Sequence, residues 1–517
     1  MAYTYSPKAS GNWNASTTWT SSNGGTTYPV AGDTVLLNNA YNVIITSSAA
    51  CSILTISGSG TLAFGTQTLT VSGLVTLSGA MTSTSGTIAA SGGVTLSGTC
   101  TGTLPTISIN SSSTLTSNGY SWNGGLKLSA TTITLLGNAI IGGLLTFAFT
   151  NGALNSSTSE TLTANNGITV SVGIPSVGTA PIIFNAGTWT GSNVLAIKNP
   201  LTLNDGVILA GNVAYAGTSL TFTNGATLIG SSANLFLGSS CTINSNNVLL
   251  PANITIYSNI TLTLSNTLTT NGSLTTNGTL SLVTSGIVCN GLTATSSISG
   301  QSLTLSGGAW SGAGTVTSNI IINGNVTLFG TVSYSTGTIS YSSGTLTGTA
   351  TPILRILGSC TLNTGSLIWS NVSIVILNVS TITLLSNINA LSLFFNIVNV
   401  TITGAYNINV ANFGASLSYS GTITYNFNAG LTLNISNSIQ IFGSNLLYNY
   451  KIISSSAGTP AFINYTGNLS NQSINACTFT DIKSTGKQLN NINGGVLTRT
   501  TNIVNIPANS FTGFMLN

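Results

Sequence analysis

The chain has 517 residues, 42% of them hydrophobic and 59 of them glycine, yet only 2% are charged, against about 25% in ordinary globular domains. Four acids, eight basic residues and no histidine exclude a Ser-His-Asp triad, an imidazole base and a histidine-built metal site. The net charge of +4 is spread thinly over Lys8, Lys127, Lys198 and Arg355, with Lys451, Lys483, Lys487 and Arg499 towards the C-terminus. No clustered basic stripe marks a nucleic-acid binder.

Residues 1–45 open with Met1-Ala2-Tyr3-Thr4-Tyr5-Ser6-Pro7-Lys8, which has no apolar h-region, so the expectation is release by lysis, with a mature form whose signal has been removed as the alternative. Gly11-Asn12-Trp13, Thr17-Thr18-Trp19 and Pro29-Val30-Ala31-Gly32-Asp33-Thr34-Val35 follow. Two indole rings here suit a lid over the open end of a stack of β-coils, and Asp33 after Gly32 suits a turn residue that bonds its own backbone. These three motifs resemble the opening segment of β-helical adhesin-type surface proteins. The resemblance implies a fold and an N-terminal cap, not an activity.

Residues 46–450 alternate with period two. Leu54-Thr55-Ile56, Leu62-Ala63-Phe64, Leu69-Thr70-Val71 and Val75-Thr76-Leu77 are separated by short Gly- and Ser-containing breaks. Such runs place Leu, Ile and Val on one face and Thr or Ser on the other, with Gly and Asn at corners that need positive φ. No stretch carries an amphipathic helical period, and none approaches the ~20 apolar residues of a spanning helix. A transmembrane barrel would show a charged lumen and loops that this chain lacks. Tyr215 and Tyr334, Phe222 and Tyr341, and Cys241 and Cys360 are each 119 residues apart, and Trp189 and Trp310 are 121 apart. A weaker third copy at Leu145–Ala153 echoes Leu220–Ala226. An internal duplication that keeps its register over many short β segments, recurring roughly every 18–22 residues, predicts an all-β parallel β-helix, a β-solenoid with N- and C-terminal caps. The Asn-rich segment 387–400 fits ladders of stacked amides at coil corners.

Residues 451–517 are the least repetitive and read as the C-terminal cap. Ala476-Cys477-Thr478-Phe479-Thr480-Asp481-Ile482 and 494–502, with Gly337–Leu346 and Gly358-Ser359-Cys360-Thr361-Leu362-Asn363, are similar to segments of uncharacterised β-helical proteins of tailed phages, over roughly Thr331–Asn505. That similarity implies a virion surface protein with no assigned chemistry.

Candidate chemistry is sparse. Polysaccharide-cutting β-helices use paired carboxylates, and the acids here are Asp33, Glu160, Asp205 and Asp481. Only Glu160 and Asp205, about two coils apart, could share a face, at the long edge of inverting geometry. Cys51, Cys100, Cys241, Cys289, Cys360 and Cys477 include no Cys-x-x-Cys, which argues against zinc, and five of them precede a Ser or Thr at the start of an apolar run, as small inward core residues would. Trp122, Trp189, Trp310 and Trp369 recur beside turn residues, as aromatics that either stack on sugar rings or pack the core. Thr-x-Thr segments raise a flat ice-binding face, but that needs Thr ranks at constant coil length, and the gaps here vary.

The sequence therefore predicts a non-enzymatic phage virion fibre or surface appendage without cofactors. Its expected partners are other virion proteins, further copies of itself (a trimer favoured) and a host-surface glycan, with no nucleic acid and no membrane insertion. A bacterial cell-surface adhesin or filament subunit is the alternative, and a carbohydrate-active tailspike the third.

Overall fold

A computed structural model describes residues 2–507 apart from 23, 26, 130–131, 150–151, 172–177, 193–195, 224–229, 231–232, 258, 366–367, 380, 417–420, 443–448 and 494. The weaker third copy falls partly on 150–151 and 224–226, and the C-terminal segment partly on 494 and 508–517, outside the described residues. The chain is a parallel β-solenoid. It divides into two compact units, Met1–Asn271 and Gly272–Asn517.

Near the start of the first unit, successive coils give one strand to each of three sheets. Ile53–Ile56, Thr61–Gly65 and Thr68–Val71 make one coil, and Val75–Leu77, Ala80–Ser83 and Thr87–Ala90 stack on them in the same order. The strands are short because the alternation survives only a few residues before a Gly or Ser breaks it. Leu54, Val75, Val94, Leu115 and Leu135 fall in one inward column, all buried. The same strands raise Thr55, Thr76, Thr95 and Thr116 in a column on the opposite face. A side-chain period of two forces this division, and each inward Leu or Val contributes about 1.5–3 kcal/mol by leaving water.

The threonine column corrects one expectation. Its members are 21, 19 and 21 residues apart, yet they stack in register. Surplus residues are absorbed at corners, so uneven gaps do not break a rank. A second file beside it does not form, since the residues two positions earlier are Ile53, Leu74 and Gly93 and only then Thr114.

The first edge is closed by Trp19–Ser21, which runs antiparallel to Thr4–Pro7 while Thr4–Pro7 pairs in parallel with Thr34–Leu37. An exposed strand edge would otherwise template further pairing. Trp13 and Trp19 are buried, edge to face at 5.2 Å, and Trp19 meets Tyr5 at 6.3 Å. Both indoles are satisfied: Trp13 Nε1 donates to the Pro29 carbonyl at 3.2 Å, and Trp19 Nε1 to the Trp13 carbonyl at 2.6 Å.

In the second unit the coils begin compact and then widen. Leu274–Thr276, Leu280–Val283 and Ile287–Cys289 pair with Leu292–Ala294, Ile298–Gly300 and Leu303–Leu305. Further on, the strands lengthen to Ile388–Phe395, Ile408–Ser416 and Thr432–Phe442. Parallel pairing continues past residue 451, with Tyr450 beside Cys477, Ala461 beside Ile482 and Leu489 beside Ile503. Corners fall to the residues that tolerate positive φ. Seven of the twelve non-glycine residues in that region among those described are asparagine. At Gly344 (φ 93°) a Cβ would lie 2.1 Å from the Gly324 carbonyl carbon of the adjacent coil, so only glycine fits.

The duplication is expressed as identical local pairing. Ser219, Leu220 and Thr221 lie beside Thr242, Ile243 and Asn244, and 119 residues on, Thr338, Ile339 and Ser340 lie beside Thr361, Leu362 and Asn363. The helical segments among the described residues are two three-residue 3-10 turns, Ser16–Thr18 and Leu469–Asn471, and no helix there is long and apolar enough to cross a membrane.

Candidate functional site

The four carboxylates are dispersed, and at least three are tied into structure. Asp33 is buried and accepts the backbone N–H groups of Tyr3 and Val30, both at 2.9 Å, which ties the N-terminal strand to the Pro29–Asp33 turn. Glu160 is wrapped by its own loop: Ser156 Oγ (2.6 Å), Ser157 Oγ (2.8 Å), Thr158 N and Oγ1 (both 2.8 Å) and Ser159 N (3.3 Å) all donate to its carboxylate. The Ser156 hydroxyl, then the Thr158 and Ser157 donors, hold this carboxyl far below the usual range. A group so held ionised cannot serve as a general acid near neutral pH. Asp481, at φ 54°, is clamped by Arg499.

Register also separates Glu160 from Asp205. Leu162, Ile182 and Leu201 stack, so Glu160 sits two residues before that column and Asp205 four residues after it. They flank opposite ends of the stacked strand, and the shared-face expectation does not hold.

All six cysteines are free and buried. Burial pushes the Cys51 thiol up to about 12, with a smaller contribution from the Asp33 charge. It lifts Cys100 to about 11 and Cys241, Cys289 and Cys360 to about 12, and raises Cys477 as well. Among the described residues no three Cys, Asp or Glu side chains gather where they could hold a metal ion.

Trp122, Trp189, Trp310 and Trp369 are at most 2% exposed. Trp189 is stacked between Ile168 and Leu209, and Trp310 between Leu292 and Leu328. Trp122 lies beside Ile141, and Trp369 between Leu346 and Ala390. No ring of the four presents a face to solvent. Trp122 Nε1 donates to the Gly125 carbonyl at 3.2 Å, whereas Trp189 Nε1 is buried without a partner among the described residues.

The surface feature with the most regular chemistry lies elsewhere, where the second unit widens. Asn389, Asn409, Asn434 and Asn464 stack in register on four successive coils. Asn409 Nδ2 donates to Asn389 Oδ1 at 2.6 Å, Asn434 Nδ2 to Asn409 Oδ1 at 2.6 Å, and Asn464 Nδ2 to Asn434 Oδ1 at 2.8 Å. Just past the row the pairing of Ile408–Ser416 with Thr432–Phe442 shifts register between Val410 and Asn412, an irregularity that bends the strands there. A groove of about 290 Å³ opens at this bend, lined by the asparagine row, by Ala390, Val410 and Ile435, and by Ala411, Ser436 and Thr466. Ile368, 66% exposed, stands at one end of the row, beside Asn389. Among the described residues no ionisable side chain lines it.

A second row follows beyond the bend: Asn412 Nδ2 donates to Ser392 Oγ at 3.2 Å, Asn437 Nδ2 to Asn412 Oδ1 at 2.8 Å, and Asn471 Nδ2 to Asn437 Oδ1 at 3.2 Å. The amide ladder expected at 387–400 is therefore present, but as one rung of rows running well past that segment. The sequence signal for the rest was available only as an Asn one residue before an inward Ala, Val, Ile or Tyr, and spacings of 20, 25 and 30 residues hid it.

No protein-family model, curated protein or solved structure matches this chain.

Proposed function

We propose that the chain is a non-enzymatic structural and attachment protein on the exterior of a phage particle, a fibre or surface appendage acting as a homo-oligomer with a trimer favoured. The observation that supports this most is the division of its side chains. Most groups capable of chemistry are engaged by the fold: the thiols lie in the core, Asp33 and Asp481 are held by backbone and Arg499 contacts, and the partly exposed Glu160 is held by its own loop, while Asp205 is exposed. Outward positions carry stacked, uncharged hydrogen-bonding rows such as Thr55–Thr76–Thr95–Thr116 and Asn389–Asn409–Asn434–Asn464. Such a scaffold suits contact rather than catalysis, and copies on one particle gain avidity from multiplicity.

Two measurements test it. Antibody against residues 451–507 should decorate purified particles and co-purify with them. Recovery only from the envelope of the producing cell would replace this reading with the adhesin. Incubation with host polysaccharides should release no oligosaccharide. Depolymerisation that Glu160→Gln with Asp205→Asn abolishes would establish the tailspike instead.

A further inference from the structure

We infer that the groove along Asn389–Asn409–Asn434–Asn464 binds a linear, uncharged polysaccharide segment laid across the coils. The inference deepens the attachment role proposed above and rests on it.

The amides supply the first argument. A side-chain amide has two N–H donors and two acceptor lone pairs. Within the row Asn409 and Asn434 each use one N–H and one lone pair, so each keeps a donor and an acceptor. Hydroxyl groups, which donate and accept at once, match that pairing. Carboxylates, phosphates and sulfates accept only, and no cation lines the groove to neutralise them. A second argument is the repeat. Coils lie about 4.8 Å apart, so four rungs present equivalent amides over ~14 Å, a periodic array for a periodic ligand with pyranose-sized units.

Apolar surface supplies the third. Ile368 stands 66% exposed at one end of the row, and Ala390 and Ala411 are half-buried in the lining, while Val410 and Ile435 are buried beneath it. Ile368, Ala390 and Ala411 offer aliphatic contact to the C–H face of a sugar while the row reads its hydroxyls. An extended peptide is the poorer match. Peptides of that kind take a free strand edge, and the strands under the interior rungs, Ile408–Ser416 and Thr432–Phe442, are paired on both sides. With no titratable group among the described lining residues, the bound chain is held and not cut.

The test leaves the ladder intact and fills the groove. Ser436 and Thr466 are exposed lining residues on neighbouring coils. Ser436→Trp and, independently, Thr466→Trp are compared with the unaltered chain for binding to cello-, manno- and galacto-oligosaccharides, with heparin as the anionic control. Circular dichroism and melting temperature report folding for each variant. The unaltered chain should bind one neutral series with affinity rising with chain length and unchanged by salt, and either folded Trp variant should bind roughly tenfold or more weakly. Absence of binding to every neutral series overturns the inference. So does binding that both variants retain, or binding to heparin alone that salt removes. The particle test is independent: a Ser436→Trp protein that still decorates particles but no longer binds shows the groove at work, and an unaltered protein that decorates particles without binding any glycan sinks the groove alone.

Discussion

Arg499 clamps Asp481 through both carboxylate oxygens, Nε on Oδ1 and Nη2 on Oδ2, with both residues at positive φ. Asp481 is almost fully buried while half of the arginine side chain stays exposed. The two ends also meet through the backbone, since the Asp481 N–H donates to the Thr498 carbonyl at 3.0 Å. A planar guanidinium fork fits a carboxylate in this way and an ammonium does not.

The clamp carries a pH signature. Arg499, first by its hydrogen bonds, holds the Asp481 carboxyl below its ordinary range. A depressed carboxyl contributes its full stability above its unfolded pKa of about 3.9 and loses it as pH falls through the lower folded value. The melting temperature should therefore be insensitive to this pair from neutral pH down to about 4 and fall below that. Arg499→Gln should melt a few degrees lower at neutral pH and show a shallower acid decline. Glu160 acts in the same window, so the comparison is between the two proteins at each pH. Equal acid slopes would refute the assignment.

Thiol chemistry should be silent in the folded chain. Six buried thiols, raised to about 11 or above, carry negligible thiolate at pH 8. Iodoacetamide followed by mass spectrometry should find none alkylated natively and all six after denaturation. As pH is raised, Cys100 should react first. Early modification of Cys477 would contradict its complete burial.

Removal of a core indole should be felt as a cavity. Trp189→Ala and Trp310→Ala should each destabilise by about 3–5 kcal/mol. Because stability in stacked coils is largely a nearest-neighbour sum, hydrogen exchange should accelerate most at Ile168 and Leu209 for the first and at Leu292 and Leu328 for the second. Tryptophan emission of the unaltered protein should be blue-shifted and poorly quenched by acrylamide. Variants as stable as the parent would place these rings outside the core.

The asparagine row should show position-dependent sensitivity. Asn409→Ala removes both a donated and an accepted amide bond, at about 1–3 kcal/mol, whereas Asn464→Ala removes one donated bond to Asn434. Denaturant midpoints should fall further for Asn409→Ala. Equal, negligible shifts would mean that the row contributes nothing to stability.

Much of the fold was legible locally. Thr61–Gly65 and Thr68–Val71 announce strands because a period of two cannot be worn by a helix. Asp33 could be read as a turn residue because it follows Gly32 and its short carboxylate reaches a neighbouring N–H. The candidate site was less legible. Trp122, Trp189, Trp310 and Trp369 stand beside turn residues in the chain, and adjacency to a turn does not reveal whether an indole points outward or in. The groove residues Ala411, Ser436 and Thr466 carry no chemical signal of their own.

By itself the sequence determined the β class, the inward and outward division of each strand, the duplication at 119 residues and the absence of any histidine chemistry. These are properties of period, composition and repetition, and they need no knowledge of what lies on the next coil. Only the tertiary structure decided which residues become neighbours across coils. Asn389, Asn409, Asn434 and Asn464 are separated by 20, 25 and 30 residues, yet form one continuous row. The reason is that parallel strand pairing sets phase anew on every coil, while bends and corners absorb the residues left over, so equal spacing in space does not require equal spacing in sequence.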